Sequence, residues 1–326
     1  MPITTSQNAR INALDVAFSI HADIEAQIYD ALYPEHEWPG IVTEAQVKRN
    51  VNAGATSVAY QTRDHKGVAA FIGNGPNNDI PMVGQSMGAV DVPLAVSAVG
   101  FRVTNEDARQ YSFGFNADLP GDLADAAGQA SENLIEKSII FGNEDLKFLP
   151  WINYPGIAIT PSLDNGSGST RWADKTPMQK VDTLNSLLRT MWENTRTLFI
   201  PTDLFVPMAI FSDMVQTPMV IGGGSGTGLA VSVMDYFKAN NLCVALPGGR
   251  SLNIIPSRYL SEAGADGQGR IIAMNRDAKN QVWPFPFDYR VGQPVPEPLG
   301  AAWYGEQKFG SYHVRQIGSM LYMDGI

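Results

Sequence analysis

The segment Asp118–Gly142, DLPGDLADAAGQASENLIEKSIIFG, constrains the fold more than any other part of the chain. Leu123, Ala127, Ala130, Leu134, Ser138 and Phe141 recur every three or four positions and so line one face of a single long helix. Ile135 and Ile139 widen that face toward its C-terminal end. The middle is built of small residues (Ala124, Ala126, Ala127, Gly128, Ala130), which allow another backbone to approach closely. Gly142 followed by Asn143 supplies a left-handed stop. The sequence is strand-like before this helix and compact and mixed after it. The pattern alone fits an ordinary core helix and a spine around which a larger subunit is built. On either reading Leu134 is a core residue, and Leu134→Asp is expected to unfold the subunit.

Upstream, Ile11, Leu14, Phe18, Ile24, Ile28 and Leu32 mark a helical stripe within residues 8–33, broken by Pro34–Pro39. Thr43 and Gln46 have the spacing of a capping box. This arm packs either on a neighbour or back on its own domain. Residues 55–104 change character. SVAYQTRD and GVAAFIG are short β-type runs, and GNGPNND (Gly73–Asp79) is dense in turn formers. IPMVGQSMGAVDVPLAVSAVGFRVT is again strand-like. The reading is a long β-hairpin with Gly73, Asn74, Gly75, Asn77 and Asn78 at its tip. A two-stranded ribbon has little core of its own and is marginal alone, so another surface has to cover it.

Downstream, LKFLPWINYPGIAITPS is an apolar but irregular crossing, and NGSGST (Asn165–Thr170) is a loop. Thr176–Arg196 is the best-marked helix: Thr176 caps, Pro177 takes the first turn, Gln179 completes the capping box, and Val181, Leu184, Leu188 and Met191 form the buried stripe. TLFIPTDLFVPMAIF reads as strand, turn and short helix, residues 229–239 as a helix, and LCVALPG as a strand. SLNIIPSRYL, RIIAMNRD, QVWPFPFDYR and YHVRQIGSMLYMDGI read as successive strands. Few regular helices among many strands make the class α+β.

IGGGSGTGL (Ile221–Leu229) precedes an apparent helix, but a dinucleotide fingerprint, a P-loop and a nucleophile elbow each miss at Thr227 or Leu229. An anion cradle of backbone amides at the helix start remains as an alternative. The histidines at 21, 36, 65 and 313 have no metal-ligand spacing, and His36-Glu37 lacks the second histidine of a zinc-protease motif. Paired carboxylates sit at helix ends, where they compensate the dipole. Cys243 is the one cysteine, flanked by Leu242 and Val244 as a buried thiol would be, and it excludes an intrachain disulfide. No cofactor, metal or catalytic residue is expected. No apolar run reaches membrane-spanning length, and the first ten residues lack the pattern of a signal peptide. The net charge of −10 comes without any basic cluster, which disfavours direct nucleic-acid recognition. Charged residues are only 17% of the chain, which suits a surface largely spent on protein contacts.

The order of segments resembles the major capsid protein of tailed bacteriophages, with the Hong Kong 97-type shell fold, and is similar to the encapsulin shells of that fold. VPLAVSAVGFRVTNEDAR is similar to the strand entering the spine, DLADAAGQASENLIEKSIIFGN to the spine helix, and WINYPGIAI to the crossing after it. NTRTLFIPTDLFVPM and GTGLAVSVMDYFKANN resemble a strand and helix of the axial domain, and YHVRQIGSMLYMDGI the closing strand of the peripheral domain. The resemblance implies an α+β subunit: an N-terminal arm (1–54), an extended β-hairpin loop (55–91), a peripheral domain (92–174) with the spine at 118–142, an axial domain (175–282), and a return to the peripheral domain (283–326). It implies a structural protein, not an enzyme, that assembles with itself into pentamers and hexamers of an icosahedral head enclosing double-stranded DNA. The implied location is the virion, after assembly in the bacterial host cytoplasm. Portal, scaffolding and decoration proteins are implied partners, without a membrane. Leu123, Ala127, Ala130, Leu134 and Phe141 of the spine, the tip of the extended loop, and Gly222, Gly223, Gly224, Gly226 and Gly228 of the axial loop are then assembly candidates. The short arm does not suggest a cleaved scaffolding leader. Lys66, the loop's one lysine, lies on a limb, which does not suggest covalent crosslinking. Two alternatives stand beside this reading: an encapsulin-like cellular shell, and an α/β enzyme binding a phosphate-bearing ligand at Gly222–Gly228.

Overall fold

The computed structural model describes residues 34–67, 69, 82–115, 119–221, 229–246 and 249–326. The expected helix within 8–33, the tip residues Gly73–Asp79 and the loop Gly222–Gly228 lie outside them.

The architecture is α+β and turns on a five-stranded mixed sheet, ordered Ile159–Pro161, Met320–Asp324, Arg270–Met274, Asp203–Pro207, Asn253–Ser257. The runs DLFVP, RIIAM and MLYMD are buried along their whole length. Such near-continuous apolar runs suit a sheet covered on both faces. Successive side chains point to opposite sides. Phe205, Ile272, Met274, Met320 and Tyr322 therefore join a core with Ile135, Ile139 and Ile140. Leu204, Val206, Ile271, Ala273, Leu321 and Met323 join a second core with Val181, Leu184, Leu188 and Met191. The first core is roofed by the spine helix, Leu119–Ile140, and the second by the helix Pro177–Asn194. The latter starts as its sequence dictates. Thr176 Oγ1 accepts the Gln179 N–H, Gln179 Oε1 accepts the Thr176 N–H, and Pro177 occupies the first turn.

A second five-stranded sheet contains Phe287–Val291, Gly300–Gly310, Gly84–Thr104 and Ser57–Lys66 in that order, with Val295–Glu297 beside Gly300–Gly310. Gly84–Thr104 is one strand of 21 residues, well beyond the usual length. Its first half pairs with Ser57–Lys66 and its second half with Gly300–Gly310. One girder thus carries the extended ribbon and anchors it in the body sheet, running unbroken through position 91, where the loop was expected to end. The spine helix packs across this strand, and Gln307 Nε2 donates to the Ser131 carbonyl at 3.3 Å.

Several elements differ from their sequence reading. Asn105–Phe115 is a helix rather than a continuation of the strand, because Thr104 Oγ1 caps it by accepting the Asp107 N–H. Leu229–Ser232 is a strand, and the helix there is only Val233–Ala239, started by the Ser232 cap. Leu242–Ala245 is a helical turn rather than a strand, capped by Asn241 Oδ1 on the Val244 N–H. SLNIIPSRYL ends as a strand at Ser257, where Ser257 Oγ caps the turn Arg258–Leu260. The closing strand Met320–Asp324 pairs with Arg270–Met274, so it completes the sheet of the span expected to be axial. Gly300–Gly310, which the sequence reading passed over, is the strand that holds the girder.

Candidate functional site

No His, Cys, Asp and Glu cluster among the described residues has the arrangement of a metal site. The surfaces that stand out are those that lack a cover.

The ribbon is the first. Ser57–Lys66 and Gly84–Pro93 pair in antiparallel register from Ser57↔Pro93 to Lys66↔Gly84. At 3.3–3.4 Å per residue this paired stretch reaches about 30 Å. From Gln61 outward both faces are exposed, and Met82, Val83 and Met87 are 86%, 73% and 70% exposed. Among the described residues only its base is seated: Tyr60, Val92 and Val282 form a small core with Val58. The Tyr60 ring stacks on His313, with centroids 5.6 Å apart, and the Arg315 guanidinium lies 4.6 Å from the Tyr60 centroid. Lys308 Nζ holds the preceding loop by donating to the Ala53 carbonyl at 2.6 Å.

The spine is the second. Its buried residues are Ala127, Ser131, Ile135, Glu136, Ile139 and Ile140. Of the residues expected to be core, Ala127 is buried and Leu123 half-buried, but Ala130 is exposed and Leu134 and Phe141 are 40% and 53% exposed. At about 100° per residue, the stripe through Leu134 lies a quarter-turn or more from the one through Ile135. The apolar stripe read from the sequence is real, but it is split: Ala127, Ile135 and Ile139 are buried, whereas Ala130, Leu134 and Phe141 face outward. Leu134→Asp therefore adds a charge to an accessible surface and is not expected to unfold the subunit. The small-residue middle is packed closely by the girder strand, with Ala127 and Ser131 buried, although Gly128 itself faces open space. The Gly142 stop is as expected, with φ +69°.

The buried side of the spine carries one charge among its apolar residues, Glu136. Glu136 accepts from His36 Nδ1 at 2.7 Å, from the Glu37 N–H at 3.0 Å and from Arg258 at 2.8 Å. Burial alone would raise its pKa, but the bonds from Glu37, His36 and Arg258 outweigh it and hold the carboxyl below its ordinary value. Glu132 accepts from Trp38 Nε1 at 2.8 Å, and Glu37 in turn accepts from Ser257 Oγ and the Arg258 N–H. The root of the arm, the spine and the turn after Asn253–Ser257 are thus locked at one point. The Thr43–Gln46 capping box forms one short turn further on. A second buried ion pair closes the chain: Arg270 binds Asp324 bidentately at 2.6 and 2.7 Å and donates to the Ile152 carbonyl at 2.6 Å. Sequence reading flagged neither pair, because the partners lie 122 and 54 residues apart.

The glycine-rich loop does not have the context of a phosphate site. Pro218–Ile221 and Leu229–Ser232 on either side of it pair antiparallel, with Ile221 opposite Leu229. Phosphate cradles lead from a strand directly into a helix; here the next helix begins four residues later, at Val233. Cys243 is buried, and burial pushes its thiol up to about 11, which makes it inert rather than nucleophilic.

A buried mixed sheet between two helices, a girder strand and an uncovered ribbon define an α+β subunit of the Hong Kong 97-type capsid fold. A family model described as Major capsid protein matches residues 67–326, and the chain belongs to that family. It is a structural protein, not an enzyme. No curated protein sequence matches the chain significantly. Among solved structures, the chain is similar to the capsid of Myoviridae phage XM1, at 13% identity over 94% of this chain and 98% of that one, with a TM-score of 0.69. It is also similar to the capsid of a native GTA particle, at 12% identity, 95% and 97% coverage and a TM-score of 0.60. The encapsulin of a holo-SrpI complex from Synechococcus elongatus PCC 7942 is a further likeness, at 14% identity, 95% coverage of each chain and a TM-score of 0.55.

Proposed function

We propose that the chain assembles with itself into pentamers and hexamers of an icosahedral bacteriophage head that encloses double-stranded DNA without reading its sequence. The head is assembled in the host cytoplasm and becomes the virion shell. Portal, scaffolding and decoration proteins would complete the list of partners. The observation that carries the reading is the ribbon. Two strands exposed on both faces, with Met82, Val83 and Met87 uncovered, are marginal until a surface covers them. The outward apolar stripe of the spine, through Leu134, is a surface of the matching kind on the next subunit. The acidic balance of −10 suits an interior that does not cling to DNA. Sedimentation velocity of the purified protein tests the reading: fast, uniform shells or capsomers support it, and a stable monomer at all concentrations refutes it.

The likeness to an encapsulin favours one second reading, a cellular shell around a protein cargo. The contents decide. Nuclease-protected DNA inside purified native particles supports a phage head, and a co-purifying cargo protein in nucleic-acid-free shells supports the compartment.

A further inference from the structure

We infer that the cleft at the base of the ribbon is the receptor for an acidic segment of a second copy of this chain, an inference that rests on the shell reading above. The cleft has a volume of about 650 Å³, within the range of pockets that hold a drug-sized ligand. One wall is the ribbon, with Gln61, Thr62, Arg63 and Val90, and the other is the body, with Lys279 and the stretch His313–Ile317. A neighbour that covers the ribbon meets this cleft, because both are parts of one continuous surface.

The charges around it are one-sided. Arg63, Lys279 and Arg315 line the cleft, and no carboxylate does. Elsewhere many of the described arginines pair with an acid, among them Arg49, Arg102, Arg258, Arg270, Arg276 and Arg290, while Arg171, Arg196 and Arg250 do not. In a chain with ten more acidic than basic residues, three cations thus share a cleft whose lining holds no carboxylate; Asp277 beside Lys279 is engaged by the Lys279 backbone N–H at 2.8 Å. The Arg315 side chain lies on the Tyr60 face, its Nη1 donates to the Ala278 carbonyl at 3.3 Å and its backbone N–H to the Asn280 carbonyl at 2.7 Å, and its Nε is buried with no hydrogen-bond partner. A buried guanidinium N–H without an acceptor is costly, and a carboxylate in the cleft would satisfy it. Burial and the Arg315 charge hold His313 below its ordinary value, so the site does not depend on protonating it. Charge complementarity points to the occupant: a second copy of this chain has ten more acidic than basic residues, and the shell reading already places a second copy against the ribbon.

Carbodiimide coupling of shells assembled from mixed ¹⁴N- and ¹⁵N-labelled subunits tests this. The expected result is an amide between Lys279 and an Asp or Glu of a differently labelled copy. The Arg63→Glu/Lys279→Glu variant, altered only at exposed positions, is expected to melt like the wild type yet require at least tenfold more protein to assemble. Arg63→Lys is expected to assemble normally. A Lys279 that couples only within its own subunit overturns the inference, as does an amine that becomes reactive only when packaged DNA is removed, which would assign the cleft to phosphate. Wild-type assembly by the double variant also overturns it, while leaving the shell reading intact. A wild-type protein that never assembles overturns both.

Discussion

Glu136→Gln isolates the junction of arm, spine and Arg258. The amide keeps the shape and one acceptor but removes the charge that His36 and Arg258 face. Removing one partner of a fully buried ion pair costs roughly 3–5 kcal/mol. Here Glu136 is buried, but the His36 and Arg258 side chains are 27% and 30% exposed and regain some hydration. The expected loss is therefore about 2–3 kcal/mol. Unfolding entropy of about 2.1 cal/mol/K per residue over the 326 residues converts this to a fall of about 3–4 °C in Tm. The sign of the pH effect follows from the lowered native pKa. The unfolded carboxyl takes up its proton near pH 4.3, before the native one does. The contribution is therefore complete above that value and lost as the pH falls through the native value. Melting of unassembled subunits by circular dichroism from pH 7 to pH 3.5 is the assay. The gap between wild type and variant should be present at about pH 5 and begin to close as the pH falls below the unfolded value of about 4.3. A gap under about 0.5 kcal/mol, or one that persists unchanged at pH 3.5, would show that shape rather than charge holds the junction.

Asp324→Asn should cost about 3–5 kcal/mol by leaving the buried Arg270 without its bidentate partner, seen as a lower denaturation midpoint; an unchanged midpoint would remove this pair from the account. Leu134→Asp should leave the melting curve of the subunit within about 0.5 kcal/mol of the wild type while abolishing shells in the ultracentrifuge, and a molten subunit would return Leu134 to the core. Cys243 should resist a thiol reagent in the native protein at pH 8 and react at once in denaturant, since its thiol titrates near 11; rapid native labelling would contradict its burial.

What the sequence disclosed and what it hid divide along a physical line. Local devices were legible. Thr176, Pro177 and Gln179 start their helix, Gly142 stops the spine, and the alternating runs on either side of the glycine- and asparagine-rich segment announce a hairpin. The register of the spine was not legible, because periodicity reveals which stripe is apolar but not which one the same chain covers. Leu134 and Phe141 advertise a core face, whereas the buried face includes Ser131 and Glu136, whose partners come from distant segments. Short apolar runs such as LCVAL fit a strand or a helical turn equally, and only the Asn241 cap separates them. Gly300–Gly310 has small residues and charges in place of clean alternation, since its ladder to Gly84–Thr104 rather than its pattern makes it a strand. The cationic cleft was invisible because Arg63, Lys279 and Arg315 meet only in the fold.

The central claim is that the ribbon is completed by another copy of the same chain. A cryo-electron microscopy reconstruction of the purified protein tests it most directly. The account predicts a closed icosahedral shell in which residues 57–66 and 84–93 lie across the outward stripe of the adjacent subunit's spine, with the ribbon-base cleft filled by a neighbour. Monomers in ice, or a shell in which the ribbon folds back on its own subunit and contacts no other, would contradict it.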